Sequence, residues 1–180
     1  MARVGKHKPS ANTALHWTDR DAALRKHLLE LLDGGQAHAT FDQAVNGLAP
    51  ELRGGKLECG EEVAPYTAWQ LLEHLRIAQW DILEFSRNSR HISPEWPSGY
   101  WPHSAKPPDP RSWAKSVAAF KSDLQEMKEL VANPATDLHA PIPHGDGQTI
   151  LREALLLADH NAYHIGELVL LRKLLSAWKR

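Results

Sequence analysis

His160 and His164 lie four residues apart in the run Asp159-His160-Asn161-Ala162-Tyr163-His164-Ile165-Gly166-Glu167-Leu168. On a helix that spacing stacks two side chains on one face. A third histidine, His74, sits in the apolar run Trp69-Gln70-Leu71-Leu72-Glu73-His74-Leu75. Three imidazoles on two packed helices can hold one divalent metal and leave a coordination position open, the mark of a catalytic rather than a structural site. A single inward histidine is more often a hydrogen-bonded core residue than a ligand. A buried pair is different: two polar rings without partners cost roughly 1–3 kcal/mol each, and a metal removes that cost.

Two carboxylates adjoin these rings. Glu73 precedes His74, and Glu167 follows His164 by three residues. Either can orient a ligand or act as acid or base, and Glu167 is the candidate catalytic group. The residue after His160 is Asn161, so the glutamate that serves a zincin as base is missing. Nor is there the Glu-x-x-His pair of di-iron bundles. Trp101, His144, Asn161 and Tyr163 are candidates for a substrate pocket. Trp96, Tyr100 and Trp101 lie in a proline-bearing loop that can wall such a pocket, and His38 lies near a glycine turn facing the same way.

The elements that must position these residues are helical. Thr18-Asp19-Arg20-Asp21, Thr40-Phe41-Asp42-Gln43 and Thr67-Ala68-Trp69-Gln70 each read as a helix start. The first opens a stripe of Leu24, Leu28, Leu31 and Leu32 that ends at Asp33-Gly34-Gly35. The second predicts a short helix to about Asn46, and the third a long one to about Asn88. Pro50 to Ala64 has no period and reads as a loop, as do residues 91–110 with Pro94, Pro97, Pro102, Pro107 and Pro108. Asp109 and Pro110 suit the cap and first position of a helix running to Asn133-Pro134. A last helix spans about Thr149 to Ser176. No segment shows strand alternation, so the reading is all-α: a four-helix bundle with long connecting loops, residues 17–180 as one domain and 1–16 as a flexible N-terminal tail.

Bulk properties narrow the function. The 180 residues carry 21 basic and 22 acidic side chains, a net charge of −1. That balance offers no stripe for nucleic acid or an anionic membrane. No apolar run reaches the ~18 residues of a membrane span, and the N-terminus lacks the apolar region of a signal peptide. The one cysteine, Cys59, excludes an internal disulfide and points to a reducing, cytoplasmic setting.

Taken together, the His74 run with Ala78-Gln79-Trp80-Asp81-Ile82, the Trp96-Pro97-Ser98-Gly99-Tyr100-Trp101-Pro102 loop and the His160–Leu168 run resemble the DinB superfamily, of the DinB/YfiT-like type. The likeness runs from about residue 18 to 178. It implies a four-helix bundle with a long crossover, often a homodimer, and a divalent metal on His74, His160 and His164, with zinc or nickel as the expected ion. It also implies a small-molecule substrate. Relatives include low-molecular-weight-thiol-dependent transferases, so an S-transferase is the first functional expectation. A hydrolase that uses metal-activated water is the alternative, and a non-catalytic, stress-related metal-binding protein the third. The near-neutral charge yields a prediction of its own: duplex DNA should give no salt-dependent mobility shift at submicromolar protein, and a shift that weakens steeply with salt would contradict this.

Overall fold

The computed structural model describes residues 11–56, 58–59 and 62–178, with side chains described for 20–56 and 64–178. Its helices are α1 (Ala11–Asp33), α2 (Phe41–Val45), α3 (Ala68–Arg87), α4 (Ser112–Ala132) and α5 (Ile150–Leu174). Helices α1, α3, α4 and α5 pack as the expected four-helix bundle, and the short α2 lies on α5. The loop before α3 contains a two-residue antiparallel hairpin, in which Glu58 faces Val63 and Cys59 faces Glu62. That pairing is too short to announce itself by alternation.

Capping chemistry explains where the helices begin. At α2 the Gln43 N–H donates to Thr40 Oγ1 (3.2 Å) and the Thr40 N–H donates to Gln43 Oε1 (2.9 Å). The same reciprocal box at α3 joins Thr67 and Gln70. Thr149 Oγ1 accepts from the Arg152 N–H at the start of α5. Each satisfies amides that a helix end leaves without partners. Two starts differ from expectation. Helix α1 begins at Ala11, which places Thr18–Asp21 inside the helix; Ala11 to Trp17 holds no glycine or proline to halt it. Residues 11–16 of the expected tail are thus helical, and residues 1–10 lie outside the described residues. Helix α4 begins at Ser112, with Pro110 in the preceding turn. Asp109 still ties that start down, accepting from the Arg111 N–H (2.7 Å) and the Ser112 hydroxyl (2.8 Å).

Apolar stripes close the bundle. Leu72, Leu75, Phe120 and Leu168 form one part of the core with Phe41 and Leu48; Leu28, Leu83, Met127 and Leu157 form another. Phe41 stacks on Phe120 at 3.8 Å between ring centroids. Two arginines finish helix ends. Arg25 on α1 donates to the carbonyls of Val131, Asn133 and Thr136 where α4 stops. Arg172 on α5 is 5% exposed and donates to the carbonyls of Gln43, Ala44, Asn46 and Ala177. These are carbonyls that short helix ends cannot satisfy internally. Arg172→Met should therefore cost about 3 kcal/mol or more in a urea melt, because it leaves buried carbonyls without donors. Lys173→Met, an exposed neighbour, should shift stability by less than about 0.5 kcal/mol.

Candidate metal centre

At about 100° per residue, with His160 as zero, the buried residues of α5 centre near Asn161 and Leu168, at about 80–100°. His160 and His164 fall at the edge of that face and are half-buried. His74 stands at the matching edge of α3 and is 4% exposed. The packing of α3 on α5 brings these edges together. His74 Nε2 lies 3.1 Å from both His160 Nε2 and His164 Nε2. One nitrogen from each ring falls within 4.8 Å of the others.

The far side of each ring decides what these nitrogens carry. His74 Nδ1 is 2.9 Å from the Tyr100 carbonyl, which can only accept, so that nitrogen holds the proton and Nε2 is a bare lone pair. His164 Nδ1 donates to Glu167 Oε2 at 2.7 Å, which bares its Nε2 as well. With both rings neutral, their Nε2 lone pairs face each other at 3.1 Å. Burial disfavours an added proton: it lowers the His74 pKa and, helped by its histidine neighbours, pulls His160 down to about 4. Neutral imidazoles with converging lone pairs fit a divalent metal, and the Tyr100 carbonyl and Glu167 are the outer partners that metal-bound histidines need.

His160 is oriented from the core. Gln79, fully buried on α3, donates to the Phe120 carbonyl at 2.6 Å and accepts from Asn161 Nδ2 at 2.9 Å. This fixes the Asn161 amide, whose Oδ1 is buried without a well-formed partner, as is His160 Nδ1. The Asn161 side chain lies near enough to act on the His160 ring.

Aromatic rings back the site. Trp101 stacks on His74 at 3.9 Å and 1°, and Tyr66 stacks on Trp101 at 3.9 Å. On the other side the three histidines open onto a cavity of about 290 Å³, which Asp81, Trp96 and Tyr100 also line. Asp81 Oδ1 pairs with His91 Nε2 at 2.7 Å, and Asp81 Oδ2 accepts from the Tyr100 hydroxyl at 2.6 Å. Burial and that carboxylate push the Tyr100 pKa up to about 12, so the phenol keeps its proton.

The other expected residues divide. Trp101 packs behind a ligand and does not line the cavity. Asn161 is an interior positioning group, drawn inward by Gln79. Tyr163 is exposed, its ring edge-on to His164 at 4.9 Å. His144 is away from the cavity because its Nε2 is engaged by the Phe85 carbonyl at 2.7 Å. His38 bonds the carbonyl of Ala39 and lines a separate crevice. Glu73 is held by Arg76 at 2.9–3.0 Å. Glu167 faces away from the histidine cavity toward an apolar groove beside Leu170 and Leu174. Asp81, His91 and Gln79 were not among the expected site residues. Asp81 carried a signal, since it falls two helical turns after His74 on the same face.

A family model described as the DinB superfamily matches residues 17–168, and the chain belongs to that superfamily. No curated protein and no solved structure matches it. The buried rings also set a pH dependence. A histidine whose folded pKa lies below its unfolded value of 6.5 contributes stability above that value and loses it as pH falls toward the folded pKa. Metal-free protein should therefore lose stability between about pH 6.5 and 4. His160→Gln should flatten that part of the urea-stability profile; an unchanged slope would mean the ring is not held neutral.

Proposed function

We propose that this member of the DinB superfamily is a metal-dependent enzyme that binds a divalent ion, zinc or nickel, through His74, His160 and His164. The observation that supports this most strongly is the convergence of three histidine nitrogens, His74 Nε2 lying 3.1 Å from both others, beside an open cavity. Three imidazoles without a thiolate or carboxylate suit these ions. When bound, the metal supplies Lewis acidity and lowers the pKa of a thiol or water in the open position.

The chain's own groups favour thiol transfer over hydrolysis. Hydrolysis needs a general base close to the activated water. Asn161 cannot take a proton and is turned into the core, and Glu167 is engaged with His164. A thiolate is already a nucleophile and needs no such base. In this reading His74 and His164 hold their lone pairs inward, fixed by the Tyr100 carbonyl and Glu167; the low-molecular-weight thiol, its proton lost to solvent, forms a carbon–sulfur bond to an electrophile seated in the cavity, whose leaving group departs to solvent with the bonding pair. Hydrolysis is the second reading; Asp81 lines the same cavity, held by His91 and Tyr100. A homodimer also belongs to this proposal: Leu156, Tyr163 and Leu170 recur every seven residues as exposed apolar side chains on α5. The single cysteine and the thiol chemistry suit a reducing, cytoplasmic setting.

The test is to load the protein with zinc or nickel and assay an electrophile with a panel of thiols, beside ester and phosphodiester substrates. Thiol-dependent turnover should appear and fall by at least about a hundredfold in His160→Ala. Ester hydrolysis without thiol, abolished by Asp81→Asn, would establish the second reading instead.

A further inference from the structure

One end of the histidine cavity is built of acceptors. Asp81 lies seven residues after His74 on α3, two turns and about 10 Å of helix rise away, on the same face. Its carboxylate is largely buried, its side chain 13% exposed, and it is clamped by His91 at 2.7 Å and by the Tyr100 hydroxyl at 2.6 Å. The phenol gives its proton to Asp81, and its oxygen also meets the Ser93 side chain, which leaves one lone pair for a further donor. Trp96 stands beside Tyr100, ring centroids 5.4 Å apart, and lines the same cavity while remaining 74% exposed. Among the described residues, no lysine or arginine lines the cavity.

A carboxylate, a phenol oxygen and an open indole face all attract the same kind of group. An ammonium donates hydrogen bonds to the first two and is drawn to the negative face of the third. A carboxylate or phosphate in that position would meet the Asp81 carboxylate, whose basic partner His91 is already paired to Oδ1. We propose that the Asp81–Tyr100–Trp96 end of the cavity is a subsite for a positively charged amine, so that the ligand is an amine-bearing molecule whose other end reaches the three histidines. This rests on the metal reading for the far end of the ligand and on Asp81 alone for the near end. The Glu167 carboxylate behind His164 would offset part of the charge of a metal held there.

The separation of His74 and Asp81 along α3 sets the spacer. With about 10 Å of helix rise between the two ends, a short spacer cannot reach both. The experiment titrates cobalt(II)-loaded protein with three matched series, ω-aminoalkanethiols, ω-mercaptoalkanols and ω-mercaptocarboxylic acids with two to six carbons, and follows the thiolate-to-cobalt absorption band. The aminothiols should bind about tenfold or more tighter than acids of equal length, with the preference growing toward the longer spacers. Asp81→Asn should erase that preference and leave the binding of the neutral mercaptoalkanols within about twofold. Trp96→Ala, a change at an exposed side chain, should weaken the aminothiols a few-fold and keep the fold intact. In parallel, metal-free protein is titrated with butylamine and butyrate by tryptophan fluorescence. If cobalt does not bind, the metal reading has failed, and Asp81-dependent binding of butylamine still supports the subsite. Acids binding as well as aminothiols, or an amine preference that survives Asp81→Asn, would overturn it.

Discussion

Lone pairs that point at one another repel, and a fold that holds them so must fix the rings from behind. That constraint organises this protein. His74 Nε2 and His164 Nε2 are held 3.1 Å apart, each with its proton committed to the opposite nitrogen. The arrangement is unfavourable for neutral rings alone, and the burial that excludes water also disfavours a relieving proton. The cost is borne by the packing of α3 on α5, whose apolar faces meet along most of their length. A cation at the point of convergence turns the same geometry from repulsion into attraction, which is why the site reads as an affinity held in reserve.

The rings are fixed by means of different range. His164 is set locally, by a carboxylate one helical turn onward on its own helix. His160 depends on the core, where Gln79 holds Asn161 and itself anchors to the Phe120 carbonyl on α4. His74 depends on the long connection between α3 and α4, through the carbonyl of Tyr100 and the stacked Trp101. Three elements of the bundle and one loop therefore meet in a single constellation, and a shift in any of them moves a donor.

This difference in range explains what the sequence could tell. The helix starts at Thr40, Thr67 and Thr149 are written in four residues each, and the apolar stripes in one helix each, so both were legible. The His160–His164 pair was legible for the same reason. Its partner on α3 was reachable because an apolar helix with one histidine has few ways to face a second helix. Asp81 was harder to read as part of the site: its significance comes from Tyr100 and His91, and only the path of an aperiodic loop brings them to it. His144 misled in the opposite direction, since a loop histidine near glycines looks free until the Phe85 carbonyl is seen to occupy it. Asn161 was placed on the right helix face, but its amide turns inward to Gln79, a partner separated by 82 residues.

Tyr100 ties the two ends of the cavity together. Its carbonyl accepts from His74 and its hydroxyl donates to Asp81, so one residue spans a ligand-bearing turn of α3 and the turn that carries the carboxylate. Movement of Asp81 is resisted by the Tyr100 hydroxyl. His91 opposes such motion by holding the other carboxylate oxygen, and Trp101 opposes it by lying flat on the His74 ring. The loop is thus a strut rather than a cover. It keeps the histidine wall rigid while leaving its open side, lined by Trp96 and Leu156, accessible from solvent. Rigidity on the donor side with access on the other is the division a small-molecule site requires, because ligand binding then need not reorder the groups that receive it.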